Sequence, residues 1–240
     1  MESTLFVVDW IAVFKIVMID IMLGGDNAII IALACAALPA HLRTKAIIWG
    51  TFGAVAIRAI LLTFASTLVA IPYVKLIAGA FLLYIGYKLL MDNEDEHSVK
   101  QSNHIWGAVW TIVVADLMMS IDNVLAVTAA SQSAGEHALG YAIFGIVLSI
   151  PIIVWGSKAV SALMDKFPII IWGGGGLLGW IGAEMMISDN SLHDYIERVH
   201  NYFGDYTHLA YKLAGFVAVV FTVIAITHLS KHREAAKQGA

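Results

Sequence analysis

Apolar residues in this chain come in runs longer than a soluble core helix needs. Stretches at about 5–37, 44–70, 73–91, 105–130, 137–160, 167–188 and 208–229 are each long enough to cross ~30 Å of hydrocarbon as a helix. An all-α fold of seven membrane-spanning helices is therefore predicted. Polar residues crowd between the runs. Two connections are longer than the rest, DNEDEHSVKQSN at 92–103 and SDNSLHDYIERVHNYFGDYT at 188–207, both acidic and dotted with histidine. The second reads as an amphipathic helix at the membrane surface. Pro39, Pro72 and Pro168 fall near predicted helix ends, while Pro151 falls inside helix 5 and predicts a kink there.

Composition agrees with the pattern. The chain is 60% hydrophobic and only 13% charged, against about 25% charged in a soluble domain. Mean hydropathy is +0.80. Residues 1–240 read as a single transmembrane domain with no room for a separate soluble one. The net charge of −4 and the lack of a basic patch give no sign of a nucleic-acid partner. The single cysteine, Cys35, excludes an intramolecular disulfide and is expected simply to pack. The opening MESTLFVVDW lacks the basic start of a signal peptide, so the first span is expected to be retained.

Loop charge sets the expected orientation. An outside N-terminus places Arg43, Lys45, Lys88, Lys100, Lys158, Lys166, Lys231, Arg233 and Lys237 on the cytoplasmic side. Only Lys75, Arg198 and Lys212 then fall outside, with Lys15 and Arg58 inside spans. The bias predicts N-out, C-in.

One acidic motif is written twice inside the spans. Residues 20–34 read DIMLGGDNAIIIALA and residues 116–130 read DLMMSIDNVLAVTAA. Asp20, Asp26 and Asn27 correspond to Asp116, Asp122 and Asn123 at an offset of 96. YIGYKLL at 84–90 matches WIGAEMM at 180–186 at the same offset, and FGAV at 52–55 matches FGIV at 144–147. Helices 1–3 (about 5–91) thus resemble helices 4–6 (about 105–188), with helix 7 (about 208–229) appended. Three is odd, so the second unit enters from the opposite side: an inverted repeat, an architecture of secondary transporters whose sites lie at the repeat interface.

An Asp at the centre of a span costs about 2.5–3.5 kcal/mol on insertion scales. Four in a repeated pattern therefore need a reason. On an ideal helix Asp20, Gly24 and Asn27 share one face, as do Asp116, Ser120 and Asn123. Asp26 and Asp122 lie about 120° away and join only if the helix breaks. Gly24-Gly25 favours a break in helix 1, with Asp26 capping its second half. Ser120-Ile121 makes one less expected in helix 4. Straight, crossing helices would set Asp20 level with Asp122 and Asp26 level with Asp116, about 9 Å apart. Carboxylate and amide oxygens suit hard divalent cations such as Mg²⁺, Ca²⁺ or Mn²⁺. Met18, Met22, Met118 and Met119 nearby offer a softer ligand that would favour Mn²⁺, or else core packing. A structural alternative is that these Asp residues pair with Arg58 or Lys15, and Arg58 itself is expected to pair with a motif Asp in preference to reaching toward a phosphate head group. Glu184 reads as an interfacial carboxylate or an outer cation vestibule. His193 and His200 read as solvated residues of the surface helix or as a surface metal site. Gly173 to Gly176 lacks the Lys-Ser/Thr of a phosphate loop and is expected to allow close helix packing.

The two Asp-Asn segments resemble the paired signatures of the TerC family of integral membrane proteins, in particular its short YjbE-like branch, grouped with the LysE transporter superfamily. The resemblance covers almost the whole chain and departs at none of the six motif positions. It implies a helical bundle, an N-out topology, and export of a divalent metal ion, manganese first, across the plasma (inner) membrane. It also implies that Asp20, Asp26, Asn27, Asp116, Asp122 and Asn123 bind the ion. The metal is then a substrate rather than a cofactor, and no enzyme activity or resident cofactor is expected. The large cytoplasmic domains of longer relatives, and regulation through them, are not expected. The lipid bilayer is the surrounding partner, with a homo-oligomer or a partner in the export machinery left open. The competing readings are an intramembrane aspartyl protease built on two Asp residues and a non-transporting subunit that delivers metal to exported proteins.

Overall fold

Backbone N–H and C=O groups in hydrocarbon find no water, so each apolar run closes its hydrogen bonds internally as a helix. A computed structural model describes residues 10–64, 71–94, 105–131, 138–204 and 206–238. The described residues form α1 (Trp10–Leu23), α2 (Gly25–Ala36), α3 (Ala40–Thr63), α4 (Val74–Glu94), α5 (Ile105–Ser131), α6 (Ala138–Lys166), α7 (Ile169–Ile187), a 3-10 turn (Asn190–Leu192), α8 (His193–Phe203) and α9 (Tyr206–Gln238). No strand occurs among them.

Five helices are long and apolar enough to cross a membrane: Ala40–Thr63, Val74–Asn93, Leu139–Lys166, Ile169–Ile187 and Tyr206–Leu229. The bent pair Val13–Met22 and Gly25–Ala36, meeting at 50°, is long and apolar enough to be a sixth when the two are taken as one broken span. The expected fourth span is one continuous 27-residue helix, α5, whose apolar part, Ile105–Ile121, is shorter than the other spans.

Some boundaries move. Helix 5 was expected to end near residue 160 but runs to Lys166 and stops before Phe167-Pro168, because a residue preceding proline is driven out of the helical region. It continues unbroken through Pro151. Helix 7 outlasts its apolar stretch by more than two turns, through a polar tail that ends at Gln238. The 188–207 connection holds α8, which turns Ile196 inward and leaves His193, Asp194, Glu197 and Arg198 exposed. Gly204, at φ +67°, ends α8 with its N–H on the His200 carbonyl at 2.7 Å. The start of helix 1, the end of helix 2, the first residue of helix 5 and most of the 92–103 connection lie outside the described residues.

Helices α1, α2, α3, α5 and α6 pack together, and α4, α7 and α9 pack beside them. Glycines set the closest crossings. A Cβ on Gly79 would strike the Gly182 carbonyl, and one on Gly182 would lie 2.6 Å from the Gly79 carbonyl. A Cβ on Gly86 would lie 2.9 Å from the Gly175 carbonyl. Residue numbers rise along α4 as they fall along α7, so the two helices are antiparallel. Within the expected packing run, Gly175 abuts Leu90, Gly176 abuts Phe216 and Gly174 lies against Ile29, whereas Gly173 faces open space. The outer surface carries Trp10, Trp49, Trp106, Trp110 and Trp155 exposed, as suits a chain whose surroundings are lipid.

Candidate cation site

Two apolar clusters bracket a layer of polar side chains. One joins Val13 and Ile16 of α1, Val55 and Leu62 of α3, and Ala142 and Ile146 of α6. The other joins Ile30 and Leu33 of α2, Ala46 and Ile47 of α3, and Ile112, Ala115 and Met119 of α5. Between them lie Asp20, Arg58, Asp116, Ser120 and Ser149, all buried.

Arg58 is the centre of this layer. It is 2% exposed. Its Nη1 donates to Asp20 Oδ1 at 2.6 Å, its Nη2 to Asp116 Oδ1 at 2.5 Å and its Nε to Ser120 Oγ at 3.0 Å. Ser120 in turn donates to Asp116 Oδ2 at 3.1 Å, and Ser149 donates to Asp20 Oδ2. All four carboxylate oxygens are engaged. The pairing expected for Arg58 is observed, and it reaches both copies of the motif rather than one. Lys15 is exposed instead.

The expected levels are corrected. Asp20 and Asp116 meet at one guanidinium, that of Arg58. Helix 1 is not straight: it breaks at Gly24, where α1 and α2 meet at 50°. Gly24, not Asp26, takes the cap position of α2, and Asp26 falls in its first turn. There the Asp26 Oδ1 is buried without a hydrogen-bond partner. Asn27 is 3% exposed, and neither its Oδ1 nor its Nδ2 has a partner. A Cβ on Gly24 would lie 2.6 Å from the Asp20 backbone carbonyl and 3.0 Å from Asn27 Nδ2, so the break leaves no room for a side chain at Gly24.

In α5 the helix is unbroken, as expected. The predicted face survives in the Asp116–Ser120 contact, and Asn123 is half-buried. The side chain of Asp122 lies outside the described residues. Among the described residues, no three His, Cys, Asp or Glu groups form a ready metal cage. The carboxylates hold a guanidinium.

Other candidates resolve simply. Met18 and Met22 are exposed, whereas Met119 is buried in the core. Cys35 packs in the core. Glu184 pairs with Lys212, whose Nζ also stands 5.7 Å above the Trp180 ring. His200 and His208 have ring centroids 6.4 Å apart beside a cavity of about 340 Å³ that His193, Glu197 and Asp189 also line.

The roles of two residues escaped the sequence reading. Ser149 is a lone hydroxyl in an apolar run two places before Pro151, and that isolation was its signal. Asp189, 2% exposed, accepts from the N–H groups of Tyr73, Lys75, Leu76 and Ser191 at 3.3, 3.1, 3.1 and 2.8 Å. It therefore ties the start of α4 to the end of α7. Only the local Asp189-x-Ser191 turn was visible in sequence.

A family model for integral membrane proteins, the TerC family, matches residues 6–235. The uncharacterized membrane protein YjbE of Bacillus subtilis is 46% identical over 182 residues, covering 76% of this chain and 82% of the relative. The B. subtilis membrane protein YceF is 25% identical over 188 residues, covering 74% of this chain and 71% of the relative. The inner membrane protein YgdQ of Escherichia coli is 22% identical over 202 residues, covering 77% and 83%. No solved structure matches the chain.

Proposed function

We propose, from the premise that the chain belongs to the TerC family of integral membrane proteins, that it exports divalent cations across the plasma (inner) membrane, with Mn²⁺ as principal substrate. One observation carries the reading. Carboxylates from both copies of the motif converge on one buried guanidinium, and in the first turn of α2, just past the break, Asp26 Oδ1 and Asn27 Oδ1 lie buried with no hydrogen-bond partner. Unpartnered buried oxygens are costly, and a hard cation is a natural partner for them. The preference for Mn²⁺ rests on the family resemblance, since Met18 and Met22 are exposed.

An inverted repeat of three plus three helices within a seven-span, N-out bundle fits this function. Its support is a contact symmetry. Adding 96 to Gly86 and subtracting 96 from Gly175 gives Gly182 and Gly79, and both pairs are close crossings. Ile16 and Ile112, also 96 apart, each seat against a glycine, Gly145 and Gly50 respectively. Rocking of one unit against the other would expose the site to each side in turn. The chain carries no nucleotide motif, so an ion gradient or the membrane potential drives transport. Proton exchange on the motif carboxylates is a natural coupling.

Transport is favoured over proteolysis because Asp20 and Asp116 are bridged by a guanidinium. An aspartyl dyad needs its two carboxylates to share a proton. Flux of Mn²⁺, Ca²⁺ and Mg²⁺ into proteoliposomes containing the purified chain tests the proposal. Mn²⁺ flux above that of empty vesicles, reduced by Asp26→Asn, is expected. Metal binding without flux would instead favour a delivery subunit, and neither binding nor flux would remove the cation reading altogether.

A further inference from the structure

Resting on the reading of this centre as a cation path, we infer that Arg58 is a tethered competitor of the transported ion. Its guanidinium occupies the seat on Asp20 and Asp116 that the cation must take, and each transport cycle exchanges the two. Every oxygen of both carboxylates already has a donor: Arg58 and Ser149 on Asp20, Arg58 and Ser120 on Asp116. The two hydroxyls can rotate and turn a lone pair toward an arriving cation. A guanidinium has donors only, so it must leave.

Arg58 is the one Lys or Arg buried among the described residues. Its helix, α3, differs from those of both carboxylates, so its departure alters the link between α1 and α5. A carboxylate is at hand to receive it. Asp26 stands in the same motif, in the first turn of α2 just past the break that follows Asp20, and its buried Oδ1 has no hydrogen-bond partner. The competition also has a use. A seat occupied most of the time lowers apparent affinity by the fraction of time it is free. A transport site must bind strongly enough to load yet weakly enough to release, and an internal competitor sets that balance.

The test compares Mn²⁺ binding by calorimetry with Mn²⁺ flux in proteoliposomes, for wild type, Arg58→Gln and Arg58→Lys. Arg58→Gln is expected to bind Mn²⁺ about tenfold more tightly than wild type, with flux lost. Arg58→Lys keeps the charge without the fork that spans two carboxylates, and an intermediate gain in affinity with reduced flux is expected. A merely structural arginine gives the opposite sign: unchanged or weaker binding in the variants overturns the competition. Should Arg58→Gln not fold, Arg58→Lys decides alone, and loss of fold in both makes the arginine structural and overturns the inference. If wild type moves no Mn²⁺ yet the variants bind it more tightly, the transport proposal fails and the competition stands. If wild type transports and the variants bind no more tightly, the reverse holds. If no form binds Mn²⁺, both fall.

Discussion

Asp20 and Asp116 stand 96 positions apart in the chain and accept from the two terminal nitrogens of one guanidinium, at 2.6 and 2.5 Å. Each also accepts from a serine, Ser149 and Ser120. The two carboxylates are thus near-equivalent in environment as well as in motif position.

That equivalence predicts matched losses. Removing one partner of a buried pair costs about 3–5 kcal/mol. Here Arg58 keeps the second carboxylate, so Asp20→Asn and Asp116→Asn should each cost less than that and by similar amounts. The double variant leaves a buried guanidinium without countercharge and should lose more than the sum of the two. Thermal unfolding of the purified variants in detergent measures all three. A double variant no less stable than either single one would show that Arg58 does not depend on these carboxylates.

Adjacent glycines at the helix 1 break should behave differently. A Cβ at Gly24 would press on the Asp20 carbonyl and on Asn27 Nδ2, while one at Gly25 meets nothing within 4 Å. Gly24→Ala should destabilise by about 1–3 kcal/mol and reduce cation flux by displacing Asn27. Gly25→Ala should stay within about 0.5 kcal/mol of wild type. Equal melting temperatures for the two variants would contradict the break geometry.

The sequence made the elements and the motif legible because hydropathy reports what a segment is surrounded by, and a repeated costly residue reports function. Asp20, Asp116 and Arg58 could be singled out on cost alone. Hydropathy says little about how a helix is turned about its axis or bent. The cap at Gly24 rather than Asp26 goes with the 50° bend, and the shared guanidinium and the engagement of Ser149 depend on the register between helices. Asp189 was illegible for another reason. Its partners at Tyr73, Lys75 and Leu76 lie more than 110 positions away, and nothing local announces them.

The glycine crossings of α4 and α7 should be intolerant of any side chain. Gly79 and Gly182 each meet the other's carbonyl, whereas Gly173 faces open space on the same helix as Gly182. Gly79→Ala and Gly182→Ala should each cost about 1–3 kcal/mol or more, since the backbones must move apart. Gly173→Ala serves as the control and should leave the melting temperature near that of wild type. A double variant, Gly79→Ala with Gly182→Ala, should cost less than the sum, because the first substitution already separates the helices.

Asp189 predicts a pH dependence with a definite sign. Burial on its own raises a carboxyl's pKa, but hydrogen bonds from Ser191, Leu76 and Tyr73 outweigh it and hold Asp189 below its ordinary 3.8. A folded-state pKa below the unfolded value means stability that is present above the unfolded value and lost as pH falls through the folded one. Asp189→Asn keeps one acceptor oxygen and loses the charge that faces the first N–H groups of α4. At neutral pH it should be less stable than wild type by about 1–3 kcal/mol. The gap should hold down to about pH 4 and then close as the wild-type carboxylate takes up its proton. Melting temperatures of both forms, followed in detergent from pH 7 to about pH 3, give the comparison. A gap that stays constant across that range would mean that the shape of the side chain, not its charge, ties α4 to α7.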